Sequence, residues 1–184
     1  MKYLAHYPPA LQAQVRTMLA KQGLGPMLLK RYPAAHAVRT DRALYDYVMA
    51  LKAEFLRNAD PLSKVMFDSK LHVIRHALGT HTTVSRVQGS KLKAKREIRV
   101  ASLFKAVPLE WLRMIVVHEL AHMKEREHDK AFYALCTHMD ADYHQREFDL
   151  RLYLTHLDAG GSRLWNTEVD DAASQAGSCE SARR

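Results

Sequence analysis

Cysteine is scarce: Cys136 and Cys179 are the only two in 184 residues. Two thiols cannot build a disulfide framework or a four-thiolate zinc site, and such a chain suits a reducing cytoplasm. Long hydrophobic runs are also missing. The longest strongly apolar stretch, Met114–Val117, falls far short of the roughly 20 residues that span a bilayer. His6, Pro8 and Pro9 stand where the apolar core of an export signal would begin, so a cytoplasmic protein with no membrane partner is expected. There is no internal repeat, no Walker-type glycine loop and no carboxylate cluster suited to magnesium. Negative charge is short as well, leaving a formal net charge of +8. Residues 61–105 hold ten Lys/Arg against Asp68 and Glu97 alone. That surplus can attract nucleotides, nucleic acid or other anions, or simply form a solvated face.

What remains is an ordinary globular balance, 47% hydrophobic and 26% charged, at a length that fits one domain with a real core. Pro8 and Pro9 can open a helix carrying Leu11, Val15, Met18 and Leu19, which Gly23 and Gly25 end. A short helical piece follows over Pro26–Arg31. Thr40 or Asp41 can cap a longer helix through Asn58, with Leu44, Val48, Leu51 and Phe55 on one face. Short β-type runs then occupy Lys64–Phe67, Leu71–Ile74, Thr82–Val87 and Lys95–Leu103, with a turn near Gly89-Ser90. Pro108 starts a helix apolar nearly all round, the pattern of a buried helix. Helices from Asp129 to Met139 and from about Tyr143 to Leu157 follow. Residues 159–184 are polar and rich in Gly, Ser and Ala, and read as a disordered tail behind a 1–158 domain. The expected fold class is α+β: N-terminal helices, a small antiparallel-rich sheet packed on the buried helix, and C-terminal helices.

The chemistry is concentrated in His118-Glu119-Leu120-Ala121-His122. On a helix, positions i and i+4 share one face, so two imidazoles can meet one metal ion. Glu119 is offset by ~100° from His118 and can take a proton from metal-bound water without binding the metal itself. Three polar side chains in the most apolar helix would be costly if unpaired, and a metal accounts for them. Two hydrogen-bonded core histidines are the plain structural alternative. A third ligand is needed, and His128 can supply it only if the helix stops soon after Met123 and the chain turns back. The charged stretch Lys124–Glu127 is consistent with leaving the core there. His138, His144 and Glu147 are the other candidates. One Zn²⁺ per chain is expected, and three neutral imidazoles would leave its full charge to acidify a water in the fourth position.

The run from Val116 to Tyr133, with its H-x3-H-x5-H-D-x-x-F pattern, resembles the YgjP-like metallopeptidase family, which is related to the SprT and WLM metalloproteases. The similarity extends from about Tyr7 to His156. It includes Lys64-Val65-Met66-Phe67, the segment from Ser85 to Gly89, and Asp142-Tyr143-His144-Gln145. The resemblance implies a zincin-like fold with the third histidine as a metal ligand. It also implies a peptidase label, while nucleotide pyrophosphatase activity has been attributed to such proteins too.

Three functions are therefore open. The first is a zinc metallopeptidase with Glu119 as general base and Tyr143, His144 or Arg86 near the oxyanion. The second is a pyrophosphatase of UTP-like nucleoside triphosphates, with Lys91, Lys93, Lys95, Arg96 or Arg99 neutralising phosphates. The third is a nucleic-acid-associated protein with a structural metal site, bound through the basic segment 91–99. The sequence ranks them in that order.

Overall fold

In the computed structural model, residues 1–71 and 96–165 are described. Contacts divide the chain into two compact units, one comprising Met1–Ala35 with the chain from Leu152 onward, the other His36–Arg151.

The second unit carries His118, Glu119, His122 and His128. Helix α3, Asp41–Phe55, is capped by Thr40, whose Oγ1 accepts the Ala43 N–H at 3.1 Å. Thr40 is therefore the cap, and Asp41 has another role: its carboxylate accepts the Phe67 N–H at 2.9 Å and ties the helix to strand β1. Leu44, Val48 and Leu51 bury the expected apolar face. The helix ends at Phe55 rather than Asn58, because Leu56 leaves the helical region at φ −132° and ψ 46° and the Lys52 ammonium donates to Ala59 O at 2.8 Å in the turn that follows.

Strand β1, Leu62–Asp68, pairs with β2, Arg96–Ala101, in a two-stranded sheet. The pairing is parallel, with Val65 opposite Ile98 and Phe67 opposite Val100. This corrects the expectation of an antiparallel-rich sheet. That expectation came from reading successive β-type runs as hairpin neighbours. Parallel neighbours require a long crossover instead, and residues 69–95 separate these two strands. The expected runs Thr82–Val87 and most of Leu71–Ile74, and the turn near Gly89, lie outside the described residues. Val65, Phe67, Ile98 and Val100 are buried on the sheet.

After β2 a 3₁₀ turn, Ser102–Ala106, buries Phe104 and leads through Pro108 into α4, Leu109–Ala121. Helix α4 packs against α3, β2 and the following helix α5, Lys130–Met139. Trp111, Leu112, Met114, Val116, Val117 and Leu120 are buried around its circumference, as its sequence demands. Helix α6, Tyr143–Asp158, begins in this unit.

His36 ties the start of the unit to the 3₁₀ turn. Its Nε2 lies 2.7 Å from Phe104 O, and its Nδ1 accepts the Val38 N–H at 3.0 Å. Only the neutral, Nε2-protonated ring makes both bonds. Burial holds its pKa below the ordinary 6.5, reinforced by Arg39 and opposed by the Phe104 carbonyl. Unfolded His36 thus takes a proton at a pH where the folded ring does not, and acidification favours unfolding. This contribution to stability is complete above about pH 6.5 and declines as pH falls through that value. His36→Phe should lower Tm at neutral pH and flatten the fall in Tm between about pH 7.5 and 5.5. An unchanged slope would show that His36 is not protonated on unfolding.

The first unit contains α1, Pro9–Ala20, and α2, Leu24–Arg31. The break between them is made by Gln22 in the left-handed region at φ 53°, so α2 starts two residues before Pro26. Residues 159–165 do not belong to a disordered tail. Trp165 is buried, donates its indole N–H to Tyr32 O at 2.9 Å and meets Tyr153 edge-on. Gly161 allows the return: a Cβ there would collide with the His156 ring. Residues 166–184 lie outside the described residues. No helix among the described residues is long and apolar enough to cross a membrane.

Candidate metal centre

Helix α4 sets the first two histidines one turn apart. It stops at Ala121, and His122 is its C-cap. The Met123, Lys124 and Glu125 N–H groups fold back onto Leu120 O and Ala121 O at 2.9–3.0 Å, which reverses the chain. The Arg96 guanidinium donates to Met123 O at 2.9 Å and fastens this turn to β2. Four residues on, Asp129 caps α5, its Oδ1 accepting from Ala131 N and Phe132 N at 2.9 and 3.0 Å. His128 is held between the turn and the cap.

These local devices bring three Nε2 atoms into a nearly equilateral triangle. His118–His122 and His118–His128 are 3.2 Å apart, and His122–His128 is 3.1 Å. His118 and His122 are buried and His128 is half-buried. The hydrogen positions follow from the outer nitrogens. His122 Nδ1 lies 2.9 Å from Glu125 O, a carbonyl that can only accept, so the proton sits on Nδ1. His118 Nδ1 lies 2.7 Å from the Tyr143 hydroxyl, which also bonds the Cys136 thiol. With Nδ1 protonated, Nε2 of His122 presents a bare lone pair, and so does that of His118, whose Nδ1 donates to the Tyr143 oxygen while the hydroxyl proton goes to the Cys136 sulfur. Lone pairs converging at this range repel one another unless a cation lies between them. Three nitrogens about 2.0–2.1 Å from one ion and spaced as here subtend about 100° at it, near the tetrahedral value. The residues therefore fit a metal ion.

Phe132 closes the buried side, its ring centroid 4.5–5.0 Å from all three imidazoles. It excludes water and lowers the local dielectric. Glu119 stands beside the triad on α4, with no hydrogen bond or ion pair among the described residues. Burial pushes its carboxyl up to about 8. A dication nearby would oppose that shift and favour the carboxylate.

The other expected site residues are placed differently. Tyr143 is buried with its hydroxyl on the outer nitrogen of His118, away from the point where the Nε2 atoms converge. It holds the His118 ring from its outer side. His144 is exposed and lies against Tyr133, the centroids 5.3 Å apart. Of the alternative third ligands, His138 is exposed beside Phe55, and Glu147 is ion-paired with Arg151 at 2.6 Å. Arg96 is committed to Met123 O and to Asp60 at 2.9 Å, and Arg99 to Asp68 and Glu97 at 3.0 and 3.2 Å. In this structure both guanidinium groups are thus engaged by carboxylates. Arg86, Lys91, Lys93 and Lys95 lie outside the described residues. Residue-by-residue reasoning missed the roles of Arg96, Tyr143 and the Glu125 carbonyl. Phe132 alone left a trace, as the last position of the H-D-x-x-F pattern.

A buried triad of convergent imidazoles next to a carboxylate on the same helix suggests a metal-dependent hydrolase. Residues 69–153 match the family described as YgjP-like, metallopeptidase domain. The chain is 58% identical over 164 residues to a protein of Escherichia coli (strain K12) named UTP pyrophosphatase, covering 89% of this chain and 98% of that relative. The chain belongs to the YgjP-like family. No solved structure matches it.

Proposed function

We propose that this protein hydrolyses the α–β phosphoanhydride of a UTP-like nucleoside triphosphate, using a zinc ion held by His118, His122 and His128. The observation that carries this reading is the 58% identity to a UTP pyrophosphatase over nearly its whole length. It reverses the order drawn from the sequence, which placed the peptidase first.

Imidazole donors without thiolate suit zinc, and the Nδ1 bonds to Tyr143 and Glu125 O fix the ring orientations a ligand needs. Bound there, the ion would supply Lewis acidity to a phosphoryl oxygen and acidify a water. Glu119 accepts the proton of the attacking water. The water oxygen bonds to the α-phosphorus, the bond to the bridging oxygen breaks, and pyrophosphate leaves with that bond's electrons. Phe132 keeps bulk water from the buried side of the imidazoles. Lys91, Lys93 and Lys95 are proposed to neutralise the polyphosphate. Lys124, Arg126 and Lys130, exposed around the loop that carries His128, are further candidates.

The description of the matching family favours a second reading, peptide hydrolysis at the same centre. One set of samples separates them. Metal-loaded protein should release pyrophosphate and UMP from UTP and leave unfolded protein substrates intact, with about one zinc per chain by elemental analysis. Because polyphosphate binding draws on Lys and Arg, KM for UTP should rise with salt. Peptide cleavage without pyrophosphate release would transfer the assignment to the peptidase.

A further inference from the structure

Phe132 and Tyr133 are neighbours on α5 with opposite fates. Phe132 is buried beneath the three imidazoles, whereas Tyr133 is half-buried at their margin. The Tyr133 ring centroid lies 6.4 Å from that of His128 and 5.3 Å from that of His144. His144 is exposed at the start of α6. Three rings thus form a strip, His128–Tyr133–His144, running outward from the metal centre to the surface. Neither the Tyr133 hydroxyl nor the His144 ring makes a hydrogen bond or ion pair among the described residues. The Tyr133 and His144 rings are inclined by 40°, so they make an open angle and not a closed stack.

We propose that Tyr133 and His144 are the stacking surface for the base of a pyrimidine ribonucleotide. The proposal rests on the nucleotide reading above and adds to it where the base binds. Cleavage between the α- and β-phosphates requires the α-phosphate at the imidazole triad. A single ribose then separates that phosphate from the base, so the base must lie close to the triad. Tyr133 is the ring next to His128 in the outward direction, at a spacing a single sugar can bridge. Stacking on an aromatic face needs no buried polar partner and suits a half-exposed site. The open angle lets a single-ring base rest on Tyr133 with its edge toward His144.

The test is a calorimetric titration of metal-loaded wild type, Tyr133→Leu, Tyr133→Phe and His144→Ala with UMP and with ribose 5-phosphate, which lacks the base. Wild type should bind UMP more tightly than ribose 5-phosphate. Tyr133→Leu should weaken UMP binding about 5- to 150-fold, the range for loss of one base stack, and His144→Ala, which removes only an edge contact, should weaken it by a smaller factor. Their affinity for ribose 5-phosphate should be unchanged, and Tyr133→Phe should keep wild-type affinity for both. Equal affinity of wild type for the two ligands would overturn the proposal, as would variants that weaken both alike. Should Tyr133→Leu fail to fold, the exposed His144→Ala decides. Pyrophosphate release from UTP by wild type, measured on the same samples, judges the nucleotide reading separately. Its absence would remove that reading, whereas release together with unaltered UMP binding in the variants would remove only the stacking surface.

Discussion

Glu119→Gln should keep the metal and lose the reaction. Turnover of UTP should fall at least ~100-fold, since general acid–base groups contribute about 10²–10⁴, while zinc content stays near that of wild type. Glutamine preserves the shape of the side chain but cannot accept the proton of the attacking water. His118→Ala and His122→Ala should instead lose the metal and its stabilising effect on the fold. At an ion concentration of ~100 Kd that effect is about 2.7 kcal/mol. The two kinds of variant must separate in metal content. If Glu119→Gln lost zinc as readily as His122→Ala, the carboxylate would be a ligand and the base assignment would fall.

The metal-free protein offers an independent reading of the same residue. Burial raises the folded pKa of Glu119 from 4.5 to about 8. An unfolded chain therefore releases this proton between those values while the folded chain retains it, and rising pH favours unfolding. The contribution is intact below about 4.5 and lost as pH climbs through about 8. Apo Glu119→Gln should be more stable than apo wild type at pH 8 and should show a flatter decline of Tm with rising pH. Equal slopes for the two apo proteins would mean that Glu119 is hydrated and not desolvated.

Trp165→Ala should be among the most destabilising single substitutions outside the metal centre. Truncating a buried tryptophan costs about 3–5 kcal/mol, which for a chain of this size is roughly 6–20 °C in Tm. Here the loss also removes the hydrogen bond that Tyr32 O accepts from the indole N–H and the edge contact with Tyr153. Trp165→Phe should keep much of the packing and lose about 1 kcal/mol with the hydrogen bond. Ending the chain after Asp158 should be as damaging as Trp165→Ala, whereas ending it after Trp165 should not. Equal Tm values for the two truncated chains would place Trp165 outside the folded core.

How far a feature is legible in the sequence follows the range of the interaction that makes it. Helix α4 was legible because its evidence is local. An all-round apolar run behind a proline makes a buried helix, and the i, i+4 histidines share a face whatever the rest of the chain does. The caps Thr40 and Asp129 belong to the same class, each satisfied by N–H groups two or three residues away. Trp165 was not legible. One large aromatic in a polar, glycine-rich stretch carries no period, and its burial depends on Tyr32 and Tyr153, far away in the chain.

The sequence by itself determined the helices, the pair His118 and His122, the offset of Glu119 and, through resemblance, the family. It left the third histidine conditional, because His128 lies about one and two-thirds turns beyond His122 on any straight helix and so faces away from it. Only the tertiary structure decided the rest. Helix α4 stops at Ala121, Arg96 of β2 pins the reversal at Met123, and Asp129 launches α5, so that His128 returns to within 3.2 Å of both partners. The strand direction, the commitment of Arg96 and Arg99 to ion pairs, and the placing of Tyr143 behind His118 were decided in the same way. Alternation along a strand is identical for parallel and antiparallel neighbours, and a charged or hydroxyl side chain carries no mark of its partner. Such choices are fixed by contacts between residues far apart in the chain, where burial and hydrogen-bond satisfaction act on the assembled fold and not on any segment alone.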